Sequence, residues 1–493
     1  MTAKTWLKDN LPFLFIFAGV FFVRNDMGVD LWFMLNNGRY ILAHGFPYTE
    51  PFTVHENLSF VMQQWGTSLI FWKVYESFGC AGLVLLSKIM GGAIIGAYYL
   101  LCLKASGGNK RLSALIALLV GCFVCIAFVY PRPNIFSGFF LSLEMLVLVS
   151  YANGSGGKVL CFLPLLSLLL INFHAAMWLV FFVLPLPFLA ASFRVDFLDK
   201  FFVTGLNISR AKLIFALLAA AAAGLINPYG TDAMLYGVRS YGYAVINNSV
   251  AEMHPVDITT GNGVLFFLLF FAALFMFGRK KTPLQYALLT LGTGYMTMAA
   301  VRSELLFLLF GSLSFAYFWA DCPLAFASRE KSRQRKWRLL LAAAVLAEAV
   351  FLAFSHGDRP KGGADYGEEF KPAADFLLQR EKAEDIRLFA DYNAGAYMEF
   401  RGIKCYIDSR AEVFLKNNNR QKEIFNEFYD LHFGFLDYRD FFAKYDFNYA
   451  MVTTTEHLIY DALKKDADFE LLHEFNFEER GSEETCRIYR VKR

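Results

Sequence analysis

Charge is what this sequence has least of. Asp, Glu, Lys and Arg make up only 18% of its 493 residues, against 56% apolar, a balance that excludes an ordinary soluble domain and places the chain in a membrane. The net charge of +3 is too small for the basic surface a nucleic-acid binder needs, so nucleic acid is excluded as a partner. Cysteine is sparse, eight in all, which excludes a disulfide-stapled scaffold. Cys122 and Cys125 form a C-x-x-C inside an apolar run, which lacks the polar, reachable setting that redox or zinc chemistry requires. Cys102 and Cys161 read as small buried hydrophobes. Cys405 and Cys486 fall in a polar tail, where pairing stays open. The eight histidines are scattered without the two- or four-residue spacing of paired ligands, so no metal set emerges. The chain has no internal repeat, and no A-x-A-like cleavage site follows its first apolar run.

What is abundant is phenylalanine, 54 residues, and long apolar runs. The first covers residues 11–23, and others are centred near 92, 121, 143, 166, 184, 219, 270, 291, 312 and 347. Counted together they make about eleven membrane spans. Connecting segments sort by charge. With the N-terminus inside, the inner segments carry nineteen Lys and Arg, among them Lys104, Arg194, Lys281 and Arg335, whereas the outer loops before the tail carry six. That bias orients the chain with its N-terminus inside and its C-terminus outside.

The expected architecture is an α-helical polytopic membrane protein with a C-terminal soluble α/β domain. Residues 1–355 form the membrane domain, within which 24–81 make a first outer loop containing an amphipathic helix at 60–78. A Gly-rich polar linker at 356–367 leads into an extracytoplasmic domain, 356–493, with short strands at 387–390, 404–407, 449–452 and 487–491 and helices near 421–429 and 438–445.

The polar residues at span ends gather on the outer side. Asp30 follows the first span, Arg132 lies between two prolines in YPRPN, His174 closes INFH, and Asn227 begins NPYG. Glu252, His254 and Asp257 occupy a long outer loop, and Arg302 and Glu304 flank a short one. Each has a plainer reading: Asp30 as a helix cap, Arg132 as a snorkelling side chain, His174 as an interfacial hydrogen-bonder, NPYG as a turn, Arg302 and Glu304 as an ion pair. Together they supply what a reaction on a phosphorylated membrane lipid requires. Arg132 and Arg302 would hold the phosphate, Asp30 would withdraw a proton from the incoming nucleophile, and His174, His254, Asn227, Gln64 and Trp32 would orient the substrates. In the tail, Asp391, Asp408 and Arg410 follow two expected strands, the usual edge of a binding crevice, although Asp408 and Arg410 read equally as a structural ion pair.

Several stretches also carry a family resemblance: DLWFMLNNGRYILAHGFPYTEPFT, FVMQQW, RPNIFS, INFHAAMW, LINPYG, VRSELLFLLF and FADYNAGAYMEFRGIKCYIDSRAEVF, spread from residue 30 to about 414. In this order they resemble the GT-C class of membrane glycosyltransferases, which includes the protein mannosyltransferases and the lipid A aminoarabinose transferases. Within that class they are most similar to a little-characterised bacterial polytopic family. The resemblance implies a multi-pass protein of the bacterial cytoplasmic membrane that takes a polyprenyl-phosphate sugar as co-substrate and a lipid, glycan or protein as acceptor. It puts Asp30 in the place of the catalytic base and the first outer loop in that of a lid over the donor pocket. Two departures stand out. Relatives read D-x-W-W-H where this chain has Phe33 and Met34, and His-Glu before the tryptophan where it has Gln63 and Gln64. A transferase that relies on Asp30 without a metal, a divalent metal held elsewhere, and a non-catalytic membrane partner or lipid-linked-sugar binding protein on the same scaffold all stay open.

Overall fold

The computed structural model describes residues 27–240, 243, 246–247, 250–321, 368–479 and 482–492. The expected spans at 11–23 and near 347 and the linker at 356–367 lie outside them. The described residues form two compact units, one of residues 84–230 and 250–321, the other of residues 27–83, 231–240 and 368–492.

The first unit is built of apolar helices. Among the described residues, four helices are long and apolar enough to cross a membrane: Trp65–Ala105, Lys110–Phe128, Asn134–Ala152 and Val301–Phe318. The other expected runs fold as shorter helices, among them Phe162–Phe173, Arg210–Ala223, Gly261–Phe277 and Leu284–Ala299. Of the other seven expected runs, two lie outside the described residues and the rest fold as helices of fewer than 18 residues, some continuous and some interrupted. Near position 184, for example, the helix breaks into Val180–Val183 and Leu186–Ala191 at Pro185, which cannot donate a backbone hydrogen bond. With apolar surface on every side, small residues and hydroxyls decide how the helices meet. A Cβ on Gly294 would meet the Phe270 ring at 2.4 Å. Ser167 donates to Ala220 O at 2.7 Å and accepts from Trp178 Nε1 at 2.8 Å, and Thr290 donates to Gly311 O at 2.6 Å.

Hydrogen bonds sort this unit's connections to two ends. At one, Asn153 donates to Lys104 O, the Tyr151 hydroxyl meets the backbone of Ser209, and β1 (Phe202–Val203) pairs in parallel with β2 (Thr282–Pro283). At the other, Asn172 donates to Ile226 O at 3.0 Å and Val301 N to His254 O at 3.0 Å. The first end holds most of the unit's basic residues.

The second unit is organised on a five-stranded sheet in the order β4-β3-β5-β7-β6. Its strands are β3 (Arg387–Phe389), β4 (Lys404–Cys405), β5 (Tyr449–Thr453), β6 (Phe469–Glu479) and β7 (Ser482–Val491). β3 runs parallel to β4 and β5, while β7 runs antiparallel to β5 and β6. Helices Tyr392–Phe400, Ile424–His432, Tyr438–Lys444 and His457–Lys465 connect and cover the strands. Cys405 and Cys486 are both free and buried. Two strands separate β4 from β7, about 14 Å at ordinary strand spacing, which is beyond disulfide reach.

The second unit takes in more than the expected tail, because part of the 24–81 segment is built into the sheet. Thr53 bridges Cys405 in parallel, Val54 N donates to Cys405 O at 2.9 Å, and Ser59 N donates to Asn419 O at 3.0 Å. Backbone groups that would otherwise need water are satisfied at the β4 edge. Residues 231–240 join the same unit through Asp232, which accepts two hydrogen bonds from Arg420 at 2.7 and 2.8 Å. Helix Trp65–Ala105 is two helices joined at Gly79, whose φ of 61° and ψ of −159° only glycine adopts readily. The expected amphipathic helix is the segment before that joint, with an exposed Lys73–Glu76 pair at 2.8 Å.

Candidate functional site

Asp30 is the first residue of helix Asp30–His44. The cap position is held by Val29, whose side chain makes no capping hydrogen bond. A half-buried carboxylate there lies on the favourable side of the helix dipole. The helix packs on Tyr392–Phe400 in the same unit. Trp32, expected to orient substrate, is buried between them, edge-on to Tyr397 at 4.9 Å and against Phe400 at 5.0 Å. Asn36 donates to Glu399 O at 3.3 Å, and Arg39 to Phe400 O at 2.7 Å. Gln64 is likewise buried. Trp32 therefore packs helix Asp30–His44 against Tyr392–Phe400 from the interior.

Tyr392, absent from the expected site residues, lies in the same unit as Asp30 and feels its charge. Burial first, then the negative charge of Asp30, pushes its phenol well above the ordinary tyrosine range. Its hydroxyl donates to Ser409 O at 2.8 Å.

The three tail residues face inward. Asp391 caps helix Tyr392–Phe400 by accepting from Ala394 N at 2.7 Å and also accepts from the Thr453 hydroxyl at 3.2 Å. Burial raises its pKa. Arg410 and Asp408 are paired through short contacts, and Arg410 also reaches Glu50 at 2.9 Å and Glu399 at 3.2 Å. All four side chains are buried, so the ion-pair alternative describes Asp408 and Arg410, and the crevice expectation does not. The sequence signal for Glu399 was an acid at the end of the otherwise apolar stretch AYMEF; Glu50 in YTEPF carried none.

The first unit collects the other expected residues. Arg132 pairs with Glu252 and lies over the Tyr130 ring at 5.2 Å. Arg302 reaches the Met253 sulfur at 3.3 Å. His174 is buried, its Nδ1 is 3.1 Å from the Ser137 hydroxyl, and Arg302 is near enough for its charge to act on the imidazole. His254 is exposed and accepts from Val301 through its carbonyl. Asn227 spends its side chain inside its own turn, donating to Gly224 O and Gly230 O and accepting from Tyr229 N at 2.8 Å, which is the turn reading of NPYG. Arg132, His174, His254 and Arg302 thus share one end of one unit, whereas Asp30 belongs to the other unit. Among the described residues, no three His, Cys, Asp or Glu side chains converge as metal ligands.

The chain is similar to the Archaeoglobus fulgidus oligosaccharyltransferase tethered to an acceptor peptide containing the NVT sequon, with a TM-score of 0.59 and 12% identity over 99% of this chain and 75% of that one. Against the apo form of that enzyme the TM-score is 0.60, with 13% identity over 91% and 70%. The fold is that of the GT-C glycosyltransferases. ArnT from Cupriavidus metallidurans, solved with undecaprenyl phosphate, also matches, with a TM-score of 0.49 and 11% identity over 99% of this chain and 98% of that one. No family model and no curated protein matches the sequence. Four helices among the described residues are long and apolar enough to cross a membrane, and by their length and composition the chain is a membrane protein.

Proposed function

We propose that the chain transfers a sugar from a polyprenyl-phosphate donor to a lipid, glycan or protein acceptor on the extracytoplasmic side of a bacterial cytoplasmic membrane. About eleven spans would carry it, N-terminus inside. Asp30 takes the proton of the acceptor nucleophile as the bond to the sugar's anomeric carbon forms; the bond from that carbon to the phosphate oxygen breaks, and polyprenyl phosphate leaves with its electron pair. Arg302, beside His174, holds the leaving phosphate and stabilises its charge. Arg132 assists once donor phosphate competes with Glu252. The observation that carries this reading is the gathering of Arg132, His174, His254 and Arg302 at one end of a helical unit with a GT-C fold.

Steady-state kinetics on purified protein test these roles. Asp30→Asn is expected to lower kcat by roughly 10²- to 10⁴-fold, the range for a lost general base, with little change in donor KM. Arg302→Ala is expected to raise donor KM as well. Full activity in Asp30→Asn sinks the assignment.

A second reading, a non-catalytic lipid-linked-sugar binder, draws on the Arg132–Glu252 pair, which occupies one of the two phosphate-binding arginines, and on buried Gln64 in place of an acid. It predicts donor binding without release of the lipid phosphate.

A further inference from the structure

The connection between helices Leu186–Ala191 and Arg210–Ala223 is shaped in a way that glycosyl transfer does not account for. Residues 193–205 expose five apolar side chains: Phe193 at 50%, Val195 at 38%, Phe197 at 67%, Phe201 at 54% and Val203 at 48%. The segment is nonetheless built as a fixed support. Gly205 N donates to Phe193 O at 3.3 Å and Leu206 N to Ala191 O at 2.8 Å, closing its base. Asp199 accepts from Thr204 N at 3.1 Å and from the Thr204 hydroxyl, while Val195 N donates to Thr204 Oγ1 at 3.2 Å. Phe202 and Val203 are paired with Thr282 and Pro283, and Lys281 Nζ donates to Asp199 O at 2.6 Å. Arg210 ties the base to Ser192 through its oxygen atoms and stacks on the Phe193 ring at 3.9 Å.

Positive charge surrounds these exposed rings. Arg194, Lys200, Arg210, Lys212, Arg279, Lys280 and Lys281 lie on the two paired connections or their flanks, against Asp196 and Asp199. Asp199 is already engaged by Thr204 and lies 3.5 Å from Arg194, whose side chain is still 80% exposed. The surface therefore combines aromatic groups suited to the acyl boundary with cations suited to an anionic layer, at an end where apolar helices terminate. The cations call for an anionic partner and the exposed rings for an apolar one, and an anionic membrane surface offers both components in the same geometry.

We propose that residues 193–205, with Arg279 and Lys281, form an interfacial platform that binds the headgroups of anionic phospholipids. Its aromatic side chains rest in the acyl boundary and its cations contact the headgroup phosphates. The platform is independent of the glycosyl-transfer reading.

Hydrogen–deuterium exchange on the full chain tests it, in nanodiscs of phosphatidylcholine alone and of phosphatidylcholine with phosphatidylglycerol. Exchange in residues 193–205 is expected to slow by at least about threefold with the anionic lipid at low salt, and this difference is expected to vanish in the Arg194→Gln, Lys200→Gln, Lys281→Gln variant. Residues 449–453, in the central strand β5, report whether the variant is folded. Equal exchange in the two lipids overturns the proposal, as does a lipid difference that survives in the folded variant.

Discussion

Arg410 is one guanidinium among three buried carboxylates, Glu50, Glu399 and Asp408. A fully ionised cluster would carry uncompensated negative charge in a low-dielectric interior, which is costly enough that a proton is retained instead. Burial first, then the charge of Asp408, pushes the Glu399 carboxyl well above the ordinary glutamate range. A carboxyl whose folded pKa is raised contributes stability that is fully present below its unfolded pKa and lost as pH rises through the folded one. Thermal unfolding is therefore expected to show an alkaline loss of stability that Glu399→Gln diminishes; an unchanged pH profile in that variant would refute the retained proton. Arg410→Ala leaves the carboxylates unpaired and is expected to cost about 3–5 kcal/mol. His55 works in the opposite sense. Burial lowers its pKa to about 4, with its ring nitrogen 2.9 Å from Tyr406 O, so its contribution is present above the unfolded histidine pKa and lost as pH falls from there towards 4.

At the scale of elements, two glycines fix local geometry. A Cβ at Gly395 would meet Ile407 O at 1.9 Å, so helix Tyr392–Phe400 can lie on the β4 segment only without a side chain there. At Gly79 the constraint is torsional, with open space around the atom that would be added. Gly79→Ala is expected to destabilise by about 1–3 kcal/mol through strain alone, measured by thermal unfolding; an unchanged midpoint would show that the joint tolerates a helical conformation. The sequence made much of this level legible. Strands β3, β4, β5 and β7 and two tail helices lie where apolar runs and turn residues predicted them. β6 was missed because FELLHEFNFEE carries charge along an edge strand and shifts register between Leu471 and His473, so its alternation is interrupted. The bridge of Thr53 to Cys405 was hidden for another reason: pairing between residues more than three hundred positions apart leaves no periodic trace. The same holds for Trp32, an interfacial tryptophan by position that proves to be packing against a helix far along the chain.

At the scale of the whole molecule, the order of features, with an acid before a long polar loop, many apolar runs and a mixed tail, made the GT-C fold legible without any close relative in sequence. The allocation of residues to units was not legible, since the loop carrying Asp30 joins the tail by backbone pairing. The charge of connecting segments assigned Arg132, His174, His254, Arg302 and Asp30 to one side; the first four share one end of the first unit, and Asp30 belongs to the second. The most direct measurement incubates purified protein in nanodiscs with polyprenyl-phosphate donors labelled in the sugar and with a mixture of membrane and periplasmic acceptors, and follows release of polyprenyl phosphate. The account predicts release together with transfer of label to an acceptor, both lost in Asp30→Asn. Donor binding without release, or release undiminished in Asp30→Asn, would contradict it.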